Sequence, residues 1–223
     1  MTQVPAGAPP EDCPSCGKPR ALCVCAHIKP VENKIAVLIL RHPQEQDKAL
    51  GTARLTALHL TDAVIKTGLS WPSLAKALGR PADPKHWATL YLGSADPASV
   101  APDRPLAVLD AKGNLLPDQA ASLRDIEGII VLDGTWSQAK TLWWRNAWLL
   151  KSRRVVLAPR QPSLYGKLRR EPRRAALSTI ESVAQLLARL EERPEIETAL
   201  TSSFRRMLQQ YRDQTQRRGD AKE

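Results

Sequence analysis

The chain has 223 residues, 43% apolar, 25% charged and 4% aromatic, the composition of a globular protein, which excludes collagen-like, coiled-coil and disordered classes. Its longest apolar run, residues 35–40, is far short of the roughly 20 residues that a membrane-spanning helix needs. The net charge is +10, and residues 140–174, with eleven basic side chains against the single acid Glu171, account for all of it.

In chain order, residues 1–12 (MTQVPAGAPPED) read as a flexible tail with no apolar stretch to serve a signal peptide, which argues for a cytoplasmic protein. All four cysteines follow within CPSCGKPRALCVC, as Cys13-x2-Cys16-x6-Cys23-x-Cys25. Two close pairs separated by a turn at Gly17 and Pro19 can set four thiolates around zinc in a closed, structural site. Two disulfides or a redox CxxC are the competing readings, the first disfavoured by the missing secretion signal. His27, two residues after Cys25, reads as a bystander, with a substitute ligand as the alternative.

The run 34–40 (KIAVLIL) reads as a buried strand, and 47–66 shows helical spacing through Leu50, Leu55, Leu58 and Val64. Residues 88–92 (ATLYL) and 105–110 (PLAVLD) read as strands, and 128–132 (GIIVL) as a strand entering DGTW and a helix over 137–150. Residues 153–157 (RRVVL) are a fifth strand, 158–176 a long basic loop, and 179–192 and 195–212 two helices before a polar tail at 215–223. Strands alternating with helices predict an α/β domain with a mostly parallel sheet and ligands at the carboxyl ends of its strands. No Walker A motif and no GxGxxG is present.

Concentrated basic charge on a neutral body is the footprint of a polyanion binder, with a solvated basic face as the alternative. Arg outnumbers Lys eight to three in that segment, which favours forked phosphate contacts. Thr135-x-x-Gln138 and Ser178-x-x-Glu181 each read as a helix capping box. Capping leaves unexplained an acid, Asp133, at a strand end beside Trp136 at a helix start. Trp143, Trp144 and Trp148 read as core or support for that helix. Arg41 and His42, just past the first strand with Glu45 close by, form a cluster suited to phosphate.

On these residues the sequence resembles the DTW domain family, the tRNA-uridine aminocarboxypropyltransferases of the SPOUT-like superfamily. The resemblance runs from Cys13 to about Glu191. It rests on the cysteine array, HPQE at His42, LYLGSADPA over 90–98, LDGTWSQA over 132–139 and PSLYGKLRREPRRAALSTIESVA over 162–184. Two departures are Gly51-Thr52 where the family commonly has Asn-Thr, and Leu92 where it commonly has Pro.

The resemblance implies a SPOUT-like α/β fold, its mostly parallel sheet ending in a C-terminal trefoil knot. The small zinc-binding segment would occupy 13–28 and the catalytic domain 29–214. It implies S-adenosylmethionine as donor, held by Leu92, Gly93 and Ser94, by Leu132, Asp133, Gly134, Thr135 and Trp136, and by Leu177, Ser178 and Thr179. The 3-amino-3-carboxypropyl group would pass to N3 of a tRNA uridine, releasing methylthioadenosine. Uridine N3 keeps its proton at neutral pH, so a base is needed. Asp133 is the expected base, with burial against Trp136 tuning it. Arg41, His42, Lys167, Arg169, Arg170, Arg173 and Arg174 are the expected tRNA contacts. No membrane and no obligate protein partner is expected. The rival readings are an RNA methyltransferase of the same fold and a non-catalytic, zinc-containing RNA-binding protein.

Overall fold

The first apolar run forms β1 (Ala36–Arg41), buried along its whole length. It lies inside a sheet with β2 (Ala63–Thr67), β3 (Trp87–Leu90), β4 (Leu106–Leu109), β5 (Gly128–Asp133) and β6 (Arg153–Leu157), in the spatial order β2-β1-β5-β3-β6-β4. All pairings are parallel except that of β4 with β6. The computed structural model describes residues 12–90, 105–110, 112–158, 161–168 and 177–220.

The later strands do not add to the edge of the sheet. β5 inserts between β1 and β3, and β6 between β3 and β4. Alternation along the strands feeds two cores. Val37, Ile39, Ile129 and Val131 face one side, with α1 (Ala53–Leu58), α5 (Thr179–Leu190) and α6 (Pro194–Asp220). Leu38, Leu40, Ile130 and Leu132 face the other, with α2 (Leu74–Leu78) and α4 (Trp136–Arg145). The remaining described helix, α3 (Gln119–Arg124), precedes β5.

The structure departs from the sequence reading in several places. The helix expected over 47–66 is only α1, and its far end is the strand β2. Leu50 and Val64 fall on a helical period by coincidence, since β2 is an edge strand whose side chains are half-buried and lack the usual strand signal. The helix expected over 137–150 stops at Arg145. Asn146 ends it by turning its amide inward: Nδ2 donates to the Leu142 and Leu69 carbonyls, and Oδ1 accepts from Trp71 N–H. Trp148 is buried and donates to the Trp71 carbonyl, but Trp144 is 71% exposed and belongs to no core. α6 continues through the expected tail to Asp220, with Gln209 bonded to Asp213 and Thr215 to the Tyr211 carbonyl one turn apart. The expected tail over 1–12, apart from Asp12, the end of the expected 88–92 strand beyond Leu90, and residues 159–160 and 169–176 of the expected basic loop lie outside the described residues.

His59, the residue closing α1, is buried, and neither ring nitrogen has a hydrogen-bond partner. Burial pulls its pKa from 6.5 down to about 4, so the folded chain holds it neutral. The unfolded chain therefore binds the extra proton between those values. The stability contributed is complete above pH 6.5 and is lost as pH falls toward 4, by roughly 3 kcal/mol. Urea midpoints at pH 7 and pH 4.5 should lie further apart in the native chain than in His59→Phe.

Candidate functional site

The carboxyl edge of the parallel sheet carries one row of polar side chains. Register sets Thr67, Arg41 and Asp133 side by side across β2, β1 and β5. Asp133 follows Leu132, whose side chain packs on the α4 side, so alternation turns the Asp133 carboxylate to the α1 and α5 side. There Asp133 is 8% exposed, and its Oδ1 accepts a 2.5 Å hydrogen bond from Thr179 Oγ1 at the first residue of α5. The Leu132–Trp136 and Leu177–Thr179 segments, separate in sequence, thus meet at one carboxylate.

Arg41 is buried rather than presented to solvent, with Nε and Nη2 donating to Thr67 Oγ1 at 3.0 and 2.9 Å. Desolvation lowers its pKa, and the charge of Asp133 opposes that shift. The cluster of Arg41, His42 and Glu45 is therefore not one exposed patch. Arg41 and Glu45 are buried, while His42 is half-exposed. His42 donates its backbone N–H to the Asp133 carbonyl at 2.9 Å.

Both predicted capping boxes form. Thr135 Oγ1 accepts from Gln138 N–H, and Gln138 Oε1 accepts from Thr135 N–H at 2.6 Å. Gln138 Nε2 also reaches Gln44, which ties the HPQE turn to the start of α4. Gly134 is required here because a Cβ would lie 2.8 Å from that of Gln138. Trp136, 40% exposed, stands at the head of α4 beside this junction. The second box, Ser178 with Glu181, gathers more. Glu181 also accepts from Leu164 N–H and Ser163 Oγ, both at 2.7 Å, binding the PSLYG turn to α5.

The four cysteine sulfurs lie within 4.8 Å of one another, Cys13 and Cys25 being 3.9 Å apart. A tetrahedral zinc–thiolate centre has sulfur–sulfur edges of about 3.8 Å, so the cluster is sized for a metal ion. The turn is set by Gly17, at φ +64°, and by Cys13 N–H bonding to the Lys18 carbonyl. The Cys13 thiol is lowered to about 6, chiefly by the Cys16 backbone, while burial raises Cys16 and Cys25. His27 is exposed beside Arg206 and stands outside the cluster. Leu22 and Val24 are buried, Val24 in the α1–α5–α6 core.

Sequence reasoning missed Lys18, because a basic residue between metal ligands reads as surface. It is 3% exposed, and its Nζ donates to the Ala49 and Gly51 carbonyls at 2.7 and 2.6 Å. The basic segment is also less uniform than its sequence. Arg153 pairs with Asp125, and Arg154 lies over the Trp143 ring at 5.2 Å, whereas Lys140, Arg145 and Lys151 are exposed. Leu92, Gly93, Ser94, Arg169, Arg170, Arg173, Arg174 and the side chain of Lys167 lie outside the described residues.

Sheet, carboxyl-edge acid and cysteine cluster together define a mixed α/β protein with a ligand-type edge and a metal-competent N-terminal segment. The chain belongs to the DTW domain family, whose model matches residues 10–212. It is 28% identical over 204 residues to tRNA-uridine aminocarboxypropyltransferase 2 of Macaca fascicularis, covering 88% of this chain and 61% of that protein. It is 29% identical over 194 residues to the Drosophila melanogaster protein of the same name, covering 84% of this chain and 70% of that one. The Mus musculus protein of that name is 28% identical over 185 residues, with 81% and 57% covered. No solved structure matches the chain. Among the described residues no helix is long and apolar enough to cross a membrane.

Proposed function

We propose that the chain transfers the 3-amino-3-carboxypropyl group of S-adenosylmethionine to N3 of a tRNA uridine, releasing methylthioadenosine. The observation that carries this reading is the Thr179–Asp133 hydrogen bond, which joins two donor-type segments at one buried carboxylate. The names of the three relatives agree with it. Insertion of β5 and β6 between earlier strands supports the knotted SPOUT-like topology.

The donor fits the residues by charge. Its amino-acid end carries a carboxylate and an ammonium beside a sulfonium, which calls for both signs of potential at close range. The N-terminus of α5 supplies the positive end of a helix dipole, and Asp133 supplies the negative group. Leu92–Ser94, Leu132–Trp136 and Leu177–Thr179 would hold it. S-adenosylmethionine supplies an activated carbon–sulfur bond, whose electron pair leaves with sulfur as the N3 lone pair forms the new bond to carbon.

Asp133 takes the N3 proton as that bond forms, freeing the lone pair for attack, while Thr179 and the sheet fix its orientation. Trp136, partly exposed at the head of α4, is the aromatic side chain that would stack on the turned-out base, which must be unpaired for N3 to be reached. His42 and the basic side chains Lys167, Arg169, Arg170, Arg173 and Arg174 bind the tRNA backbone, and Arg41 supports Asp133 from within. Cys13, Cys16, Cys23 and Cys25 hold a structural zinc with no open position. A cytoplasmic location, expected from the N-terminal sequence, would suit an enzyme that acts on tRNA.

Unmodified tRNA incubated with donor labelled in its carboxyl carbon should gain label in a uridine, and donor labelled in its methyl group should transfer none. Methyl label in the RNA would replace the reaction with methylation. Binding without either label would leave a non-catalytic RNA-binding protein.

A further inference from the structure

We infer that Lys18 is a positioning residue through which the metal-holding cysteine segment sets the geometry of the Asp133 site. The main chain of Lys18 belongs to the cysteine turn, its carbonyl accepting from Cys13 N–H at 2.7 Å. Its side chain leaves that turn and buries its ammonium between the Ala49 and Gly51 carbonyls. Burying a cation costs several kcal/mol unless it is well bonded. Anchoring alone does not require one, because Leu22 and Val24 already pin the segment by apolar contact.

What distinguishes this landing point is what else meets there. Tyr165 Oη donates to the Leu50 carbonyl at 2.5 Å, bringing in the PSLYG turn. Ile180 N–H donates to Thr52 Oγ1 at 3.3 Å, bringing in the first turn of α5. The preceding residue, Thr179, holds Asp133. Residues 49–52 are thus the junction of the cysteine segment, the start of the basic loop and the helix end that orients the carboxylate. Gly17 adds close packing, since a Cβ there would run into the Arg54 guanidinium on α1. Metal at the cysteines keeps the turn closed and Lys18 presented. Without it the turn loosens, 49–52 relaxes, and the first turn of α5 loses one of its fixed partners.

The kinetic arm of the test rests on the transfer reaction proposed above, and the exchange arm does not. Amide hydrogen exchange is followed by peptide mass spectrometry on the full chain loaded with zinc, on the same chain stripped by a chelator under reducing conditions, and on zinc-loaded Lys18→Met. Stripping should speed exchange in peptides covering 49–58 and 178–186 as well as 12–28, because local opening follows the loss of local bonds. Lys18→Met, with zinc content unchanged, should reproduce the effect at 49–58 and 178–186. Stripping Lys18→Met should add nothing there. In the kinetic arm, Lys18→Met should lower kcat roughly tenfold with the tRNA KM little changed, and Lys18→Arg should recover part of the loss.

Exchange confined to 12–28 on stripping overturns the inference, as does a zinc-loaded Lys18→Met that exchanges like the native chain. Should Lys18→Met not fold, the stripped native chain decides by the same peptides. A native chain with no transfer activity removes the proposed reaction, while the exchange result still decides the coupling.

Discussion

Asp133→Asn should lower the rate of aminocarboxypropyl transfer by roughly 100- to 1,000-fold, the range a positioned proton acceptor contributes. The substitution is nearly isosteric and leaves an amide oxygen to accept from Thr179 Oγ1, so the hydrogen bond seen at 2.5 Å has a replacement and the fold should stand. What disappears is the negative charge that, in the proposed mechanism, faces the donor and takes the N3 proton. Single-turnover rates at saturating donor and tRNA isolate that loss from binding, and a thermal melt checks the fold. Thr179→Val removes only the orienting hydroxyl and should cost about tenfold, since misplacement of a catalytic group is cheaper than its removal. Full turnover by Asp133→Asn would end the assignment, and equal losses from both variants would move Asp133 from proton acceptor to structural anchor.

Much of the site could be read in the chain, and the reason is local. Asp133 at the end of a β-branched run, two capping boxes and a four-cysteine array each declare themselves within a few residues, and all are found where expected. What could not be read depends on register and long-range order. Nothing in the sequence near Arg41 says that its neighbours will be Thr67 and Asp133, because strand order β2-β1-β5 is decided by how β5 enters the sheet. The phosphate-contact expectation for Arg41 therefore met a buried guanidinium instead. β2 was hidden because an edge strand with half-buried side chains lacks the full apolar run. α2 and α3 have five and six residues, too few to show a helical period. Lys18 was invisible for the opposite reason, since its partners are backbone carbonyls that carry no side-chain signature.

Glu181→Ala should destabilise the chain by roughly 3 kcal/mol, more than loss of an ordinary helix cap, because buried donors lose a charged acceptor. Glu181 is 3% exposed and accepts from Ser178 N–H at 3.0 Å, Ser178 Oγ at 2.5 Å, Ser163 Oγ at 2.7 Å and Leu164 N–H at 2.7 Å. Only the Ser178 bonds cap α5. The other two fasten residues 163 and 164, so the same carboxylate fixes both the helix end that orients Asp133 and the turn that starts the basic loop. Glu181→Gln keeps an oxygen for Leu164 but turns an NH2 group toward donors, and should lose about half as much. If the basic loop binds tRNA, both variants should weaken tRNA binding in the order of their stability loss, measured by filter binding at fixed salt alongside urea unfolding. If the Ser178–Thr179 turn holds S-adenosylmethionine as proposed, affinity for it should fall with them, because that turn leans on the same group. Stability lost with tRNA affinity intact would separate the loop from RNA recognition and leave Glu181 as a helix cap alone.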